Sequence, residues 1–266
     1  MAVRKRGAGN LVLLAVAWLV LIFLMAPVVA IIPLSFNSEP FLTYPLAGFS
    51  LRWYAAVFNS PEWMNALKSS LIVGIATVAI STPLGTLAAF ALVRRKMPQA
   101  QLFMGILMLP MAMPLVVVAL ALYIFLTRIG LANSYTGLIL AHTVLATPFV
   151  LVSVTATLAG FDFGLVRAAS SLGARPWVAF RRVTLPLVMP GVATGAVFAF
   201  ITSWDEVVVA LFVAGPGQRT LPRQMFAGLR EHLDPSIMVV ATIMIVISVL
   251  LVGLGFVLRR RAARTN

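Results

Sequence analysis

The sequence predicts an all-α polytopic membrane protein with six transmembrane helices. Of its 266 residues, 61% are hydrophobic and only 10% are charged, and the mean hydropathy is +1.04, whereas soluble domains carry about 25% charged residues. A globule this apolar would have too little polar surface to cover itself, so a soluble fold is excluded. Six charge-poor stretches are each long enough for the ~20 apolar residues that a helix needs to cross a ~30 Å hydrocarbon core.

These stretches are predicted to be helices because unpaired backbone groups are not tolerated in lipid, and because they lack the ten-residue alternation of a membrane barrel. The predicted spans run from about Leu11 to Leu34, Ser69 to Val93, Leu102 to Leu126, Thr136 to Leu158, Leu187 to Val213 and Ile237 to Leu258. Prolines interrupt most of them, and kinks are expected there. The whole chain, residues 1–266, is predicted to form a single transmembrane domain.

The distribution of basic residues predicts the orientation, because Lys and Arg are retained on the cytoplasmic side. Fourteen of the twenty precede the first span or follow the second, fourth and sixth, and six lie in the other segments. Both termini are therefore expected to be cytoplasmic. The net charge of +13 is explained by topology rather than by nucleic-acid binding.

The composition also excludes several kinds of chemistry. The chain has no cysteine, and its two histidines, His142 and His232, lack the spacing of a metal site. It contains no GxxxxGK[ST] sequence, so it cannot bind ATP as a P-loop protein. No metal or cofactor is expected, and His142 is predicted to be a hydrogen-bonded packing residue rather than a proton relay, since no acid lies a turn away.

Two segments on the predicted outer side are long enough to form structure. Residues 35–68 contain Trp53, Tyr54 and Trp63, aromatic residues that suit an interfacial belt or a short helix lying on the membrane. Residues 214–236 contain glycines and prolines that predict a turn followed by a short irregular segment.

The cytoplasmic segment of residues 159–186, between the fourth and fifth spans, is the most informative. Val166 to Leu172 has a helical pattern, Gly173 is a natural left-handed stop, and Pro176 suits the first turn of a second short helix through Arg182. The segment reads Arg167-Ala168-Ala169, three residues, Gly173, nine residues, then Val183-Thr184-Leu185-Pro186.

This spacing resembles the EAA signature of binding-protein-dependent ABC importer permeases, which reads Glu-Ala-Ala, three residues, Gly, nine residues and Ile-x-Leu-Pro. The resemblance covers essentially the whole chain and extends to the spermidine/putrescine type of permease subunit. The supporting stretches are Pro33-Leu34-Ser35-Phe36-Asn37, Ser50-Leu51-Arg52-Trp53-Tyr54, Ala141-His142, Pro148-Phe149-Val150, Gly160-Phe161-Asp162, Gly215-Pro216-Gly217 and Thr220-Leu221-Pro222.

The resemblance implies the fold of an ABC importer type I permease (MetI-like) and a role as a permease subunit, not an enzyme. It also implies two separate ATP-binding cassette subunits, a second permease subunit that is a different chain, a periplasmic solute-binding protein and a bacterial inner membrane. The implied solute is small, such as the polyamines spermidine and putrescine. The residues implied to couple the permease to the ATPase are Arg167, Ala168, Ala169, Gly173, Leu185 and Pro186.

This chain departs from the signature at Arg167, where the family has an acid. The cognate ATPase is expected to present an acidic or neutral residue opposite Arg167. The alternative is that this position is solvated.

Asp205 and Glu206 are the only acids within a predicted span, and intramembrane acids are functional candidates because they are costly to insert. Their side chains point ~100° apart on a helix, so one of the two is expected to face a substrate pathway. Trp204 adds an aromatic face that suits a cation. The alternative is an interfacial helix end with an aromatic anchor.

The residues give less support to two other functions. An ion-coupled secondary transporter of a small cationic solute is the alternative function, but one acidic pair and no detected inverted repeat favour it less. An intramembrane enzyme is disfavoured because no nucleophile–base pair is visible at membrane depth.

Overall fold

The computed structural model describes residues 8–94, 99–231 and 234–264. The chain divides into two compact units. The first comprises residues 1–60 and 228–245, and the second comprises residues 61–227 and 246–266.

The described residues form twelve α-helices. They are α1 (Ala8–Leu34), α2 (Arg52–Asn59), α3 (Pro61–Arg94), α4 (Ala100–Ala112), α5 (Leu115–Arg128), α6 (Tyr135–Ala159), α7 (Gly164–Ser171), α8 (Pro176–Ala179), α9 (Leu185–Trp204), α10 (Val208–Val213), α11 (Leu221–Glu231) and α12 (Ser236–Arg264). A π-helical turn, Phe180–Thr184, joins α8 to α9, and a 3-10 turn, Pro216–Gln218, precedes α11.

The helical, membrane-spanning architecture predicted from the sequence is confirmed. Five stretches of the described chain are long and apolar enough to cross a membrane, and a sixth candidate is the bent pair of α4 and α5. The five stretches are Asn10–Leu34, Pro61–Val93, Tyr135–Ala159, Pro176–Trp204 and Ser236–Val257.

The third predicted span, Leu102 to Leu126, is wrong as a continuous helix. Helices α4 and α5 meet at Met113 and Pro114 with a bend of 103°. Pro114 has no N–H to donate, and the residue before a proline is forced out of the helical region. Met113 accordingly has φ −86° and ψ 150°.

The fifth predicted span, Leu187 to Val213, is also interrupted. Helix α9 ends at Trp204, and α10 begins at Val208. The Glu206 carboxylate accepts a hydrogen bond from the Val209 N–H at 2.9 Å. It thereby satisfies one of the unpaired N–H groups at the start of α10, which a continuous helix would not leave free.

The segment within 214–236 that was predicted to be irregular is largely helical, because it contains α11. Leu221, Met225, Phe226 and Leu229 recur at helical spacing along it. Pro222 lies in the first turn, where its missing N–H costs nothing.

In the first unit, the short helix that was one of the two alternatives for residues 35–68 is present as α2. The hydroxyl of Tyr54 on α2 lies 2.9 Å from the hydroxyl of Ser35, which is buried just after α1. Asn37 is also buried and donates to the Phe41 carbonyl at 2.7 Å. These bonds order the connection between α1 and α2.

In the second unit, α3, α6 and α9 pack side by side around two apolar clusters. The cluster near the start of α6 adds residues of α5 and α10, including Val118, Leu126 and Val209. The cluster near the end of α6 includes Leu151 and Val188 and packs against α4.

Glycines allow these three helices to approach closely at Val150 on α6, which is fully buried. A Cβ atom added at Gly85 on α3 would lie 2.7 Å from Cβ of Val150. One added at Gly195 on α9 would lie 2.9 Å from its Cα. Two hydrogen bonds reinforce the contact of α6 with α9: Ser153 donates to the Gly191 carbonyl at 2.9 Å, and His142 Nδ1 lies 2.8 Å from the Ser203 hydroxyl.

Replacing Gly195 by alanine is predicted to destabilise the second unit, because the new methyl group meets the Val150 backbone, which cannot rotate away. Overpacking of this kind costs roughly 1–3 kcal/mol. The control is Gly253→Ala on α12, where no heavy atom lies within 4 Å of the added Cβ. The measurement is the midpoint of thermal unfolding in detergent. Equal midpoints for the two variants would contradict the packing described at Val150.

Candidate functional site

The cytoplasmic segment of residues 159–186, called the coupling segment below, begins with two turn motifs around α7. The Asp162 carboxylate accepts a hydrogen bond from the Gly164 N–H at 2.7 Å, which forms an Asx turn just before α7. At the other end, the Gly173 N–H donates to Ser170 and the Ala174 N–H donates to Ala169, both at 3.0 Å. This is a Schellman motif, and it requires the left-handed φ of +84° that Gly173 adopts. The stop predicted at Gly173 is confirmed.

The second short helix of the coupling segment differs from the prediction, which ended it near Arg182. Helix α8 begins at Pro176 as predicted, but it runs through the π-helical turn directly into α9. The result is one helical stretch, Pro176–Trp204. A π-helical turn inside an α-helix is rare and is often found at functional sites.

A cavity of about 360 Å³ lies between α7 and α8, next to the end of α3. Arg167 lines this cavity and is exposed. Within the part of the chain that the structure describes, Arg167 has no ion-pair partner. The other cavity residues are Phe90, Phe163, Val166, Ser170, Pro176, Ala179, Phe180 and Thr184.

The remaining predicted coupling residues lie on the same surface or just beyond it. Ala168 is exposed and Ala169 is half-buried on α7. Leu185 is half-buried and Pro186 is exposed at the start of α9. Small residues such as Ala168 and Ala169 leave room for another helix to approach closely.

Large apolar side chains are exposed on the coupling segment. Leu172 is 89% exposed, and Trp177 is 67% exposed. The Trp177 ring stacks on Phe180 with centroids 5.6 Å apart, and Phe180 packs edge-on against Phe90 of α3 at 5.7 Å. An exposed apolar patch bordered by charged residues is typical of a protein interaction site.

Both residues of the acidic pair lie in the break between α9 and α10. Asp205 is exposed, whereas Glu206 is buried and caps α10 through the Val209 N–H. Trp204 is fully buried and stacks on Phe200 with centroids 5.6 Å apart. Of the three residues predicted for a substrate pathway, Asp205 alone is therefore exposed in this chain.

His142 is buried and hydrogen-bonded to Ser203, as predicted for a packing residue. Its partner lies two residues before Asp205 on the chain. His142 therefore fixes the end of α9 against α6 close to the acidic pair.

Sequence reasoning missed the aromatic residues that build the cavity next to Arg167. Phe180 lies four residues after Pro176 and four before Thr184, so a helical face was visible in the sequence. Phe90 could not be found in this way, because it belongs to a helix far earlier in the chain.

Comparison with known proteins agrees with this arrangement. Residues 81–264 match the family described as binding-protein-dependent transport system inner membrane component. Because the match covers more than half of the chain, the protein belongs to this family.

Relatives with more than 30% identity are permease proteins. The chain is 32% identical to the spermidine/putrescine transport system permease protein PotC of Escherichia coli strain K12 over 244 residues, which are 92% of each chain. It is 34% identical to the putrescine transport system permease protein PotI of the same strain, covering 84% of this chain and 82% of PotI. It is 32% identical to the molybdenum transport system permease protein ModB of Mycobacterium bovis, covering 81% and 88% of the two chains.

Among solved structures, the fold resembles a bacterial ABC transporter involved in the import of the acidic polysaccharide alginate. The TM-score is 0.69 with 16% identity, and 98% of each chain is covered. A methionine ABC transporter gives a TM-score of 0.59 with 20% identity, covering 79% of this chain and 95% of the other. At these identities the likeness shows the fold alone. Together with the family match, it confirms the predicted importer permease fold, and the chain is a multi-pass inner-membrane permease subunit of an ABC importer.

Proposed function

We propose that this chain forms half of the transmembrane pathway of an ATP-driven importer for a polyamine such as spermidine or putrescine. A second, different permease subunit forms the other half. An external solute-binding protein delivers the polyamine, and two ATP-binding cassette subunits bind the coupling segment. Both termini lie in the cytoplasm.

The exposed apolar side chains of the coupling segment carry this proposal. Leu172 is 89% exposed and lies outside the stretches that could cross a membrane, on a segment that also carries arginines, so it is poorly suited to the membrane interior. A partner on the cytoplasmic side is needed to cover it, and Trp177 lies five residues further along the same segment. The chain has no P-loop sequence of its own, so the energy must come from that partner.

Two observations support a polyamine as the solute. The relatives PotC and PotI are named for spermidine and putrescine, although ModB, at similar identity, is named for molybdenum. The second observation comes from this chain itself: Asp205 is an exposed acid at a helix break beside a long apolar helix. A carboxylate attracts the ammonium groups of a polyamine and repels an oxyanion.

The three pathway residues have different roles in this proposal. Asp205 contacts the cationic solute, while Glu206 shapes the break by capping α10. Trp204 stacks on Phe200 and supports the end of α9 behind them.

Arg167 is proposed to face a carboxylate of the ATP-binding subunit. The coupling segment contains four arginines and one acid, Asp162, which already accepts the Gly164 N–H. An acidic surface on the partner complements this charge and excludes partners of the wrong sign.

The direct test is reconstitution in lipid of this chain with its partner permease and ATP-binding subunits. ATP hydrolysis is measured with the solute-binding protein, either empty or loaded with spermidine or putrescine. Stimulation by the loaded protein is expected. If the assembly hydrolyses ATP but the polyamine-loaded protein does not stimulate it, the permease assignment stands and a polyamine is refuted as the solute. Uptake that follows an ion gradient without any ATPase would instead favour a secondary transporter.

Asp205→Asn is predicted to lower polyamine uptake about tenfold or more, because the amide no longer attracts a cation. Glu206→Gln is the matched control. Its amide oxygen still accepts the hydrogen bond from the Val209 N–H, so α10 remains capped. Uptake of radiolabelled putrescine at several concentrations gives the result, and unchanged uptake by Asp205→Asn would refute the assignment.

Arg167→Glu is predicted to reduce stimulated ATP hydrolysis at least about fivefold through like-charge repulsion, whereas Arg167→Lys retains most of it. Arg175→Glu changes the net charge equally on the same segment but lies outside the Arg167 cavity. An equal effect of Arg167→Glu and Arg175→Glu would indicate that Arg167 is solvated.

A further inference from the structure

A second cavity, of about 390 Å³, lies at the opposite end of α3 from the coupling segment. We call it the outer cavity. It is formed where the start of α3, the start of α6 and the connection between α10 and α11 meet. Its lining residues are Glu62, Asn65, Ala66, Lys68, Ser69, Tyr135, Pro216, Gly217, Arg219 and Gln224.

Hydrogen bonds fix the walls of the outer cavity. The Ser69 and Tyr135 hydroxyls lie 2.8 Å apart, and Tyr135 also donates to the Gly217 carbonyl at 3.3 Å. The buried Ser70 hydroxyl accepts from the Leu221 N–H at 2.8 Å. The cavity is therefore built by bonds between three separate parts of the second unit.

Arg223 braces the loop that forms one wall of the outer cavity. Its guanidinium donates to the carbonyls of Ala214 and Gly215 at 2.7 and 2.8 Å. Burial, and then the nearby charge of Arg219, lowers the pKa of Arg223. Arginine nevertheless stays charged at neutral pH, so the bonds to the loop are charge-assisted.

The outer cavity carries two cations and one acid. Within the described residues, neither Lys68 nor Arg219 forms an ion pair with Glu62, and Arg219 has only a 3.4 Å contact with the Gln224 amide. Two cations that share one cavity raise the local positive potential and attract an anion. Because the two cations outnumber the single acid, the outer cavity favours an anion over the proposed cationic solute.

The position of the outer cavity favours a protein ligand. The span that begins at Pro61 has 33 residues and is therefore ~50 Å long, well beyond a ~30 Å hydrocarbon core. Its first turns, with Glu62 and Lys68, can extend out of the bilayer. A cavity of this size takes one or two side chains, and its polar rim suits a carboxylate among hydrogen-bonding groups.

We propose that the outer cavity binds an acidic side chain of the external solute-binding protein, with the carboxylate between Lys68 and Arg219. This inference rests on the proposed function, which requires an external binding protein. It adds the site of contact and the charge of the contacting group.

The test uses the complete reconstituted assembly in nanodiscs of neutral phosphatidylcholine. The probe is the solute-binding protein loaded with spermidine, or with whichever solute stimulates the wild-type assembly. The quantity measured is the concentration of loaded protein that gives half-maximal stimulation of ATP hydrolysis. The double variant Lys68→Glu/Arg219→Glu is expected to raise it about tenfold or more and to weaken its dependence on salt.

Two further variants separate a lost charge from a damaged fold. Glu62→Gln removes the one acid of the cavity and is expected to lower the half-maximal concentration about twofold, an improvement that misfolding cannot produce. Arg128→Glu places the same kind of charge reversal on an exposed residue at the end of α5, outside the cavity. It is expected to have little effect.

The outcomes are distinguishable. If the wild-type assembly is never stimulated by a binding protein, the proposed function fails. If it is stimulated but the double variant behaves like Arg128→Glu, the inference about the outer cavity alone is overturned. An effect of the double variant that appears only with anionic phosphatidylglycerol in the nanodiscs would show that the cavity binds a lipid headgroup, which also overturns it.

Discussion

The close contact of α3 and α9 with α6 at Val150 is the constraint on which the second unit depends. Because Gly85 and Gly195 have no side chain, both helices reach the surface of α6 at the same level. Apolar side chains add no hydrophobic driving force between helices in lipid, so such close packing is the main source of association. The hydrogen bonds from Ser153 to Gly191 and between His142 and Ser203 then prevent α9 from sliding along α6.

The same contact determines what a movement of the coupling segment can do. The helical stretch Pro176–Trp204 has 29 residues and is ~44 Å long. Close-packed interiors transmit displacement rather than absorb it. A partner that pulls on Trp177 therefore acts on α9, and through α9 on the break at Asp205. The π-helical turn Phe180–Thr184 interrupts the regular α-helical hydrogen bonding of this stretch, and turns of this kind are often found at functional sites.

Sequence patterns predicted the parts of the structure that depend on local chemistry. The long helices followed from hydropathy, and the stop at Gly173 and the start at Pro176 followed from the backbone preferences of glycine and proline.

The parts that depend on tertiary packing were predicted less well. Pro114 predicts a kink near Met113, but the angle of the bend could not be predicted, because it depends on the packing of α4 and α5 against different clusters. The break after Trp204 was not predicted, because the hydropathy pattern places Asp205 and Glu206 within one continuous helix. Glu206 instead accepts a backbone hydrogen bond, and hydropathy does not report such bonds. The cavity next to Arg167 could be predicted only in part, because Phe90 reaches it from a distant segment.

Within the described part of the second unit, the basic residues cluster on the coupling segment and around the outer cavity, away from the acids in the break between α9 and α10. The coupling segment carries four arginines, and the outer cavity carries Lys68 and Arg219. Both surfaces repel a polyamine and suit acidic partners. The acids of the apolar segments occur together at the break between α9 and α10, where Asp205 is exposed. Under the proposed function, the surfaces that bind proteins and the residue that binds the solute therefore have opposite charge. In that proposal Asp205, at the end of the helix that begins in the coupling segment, would bind the solute while the basic surfaces bind proteins.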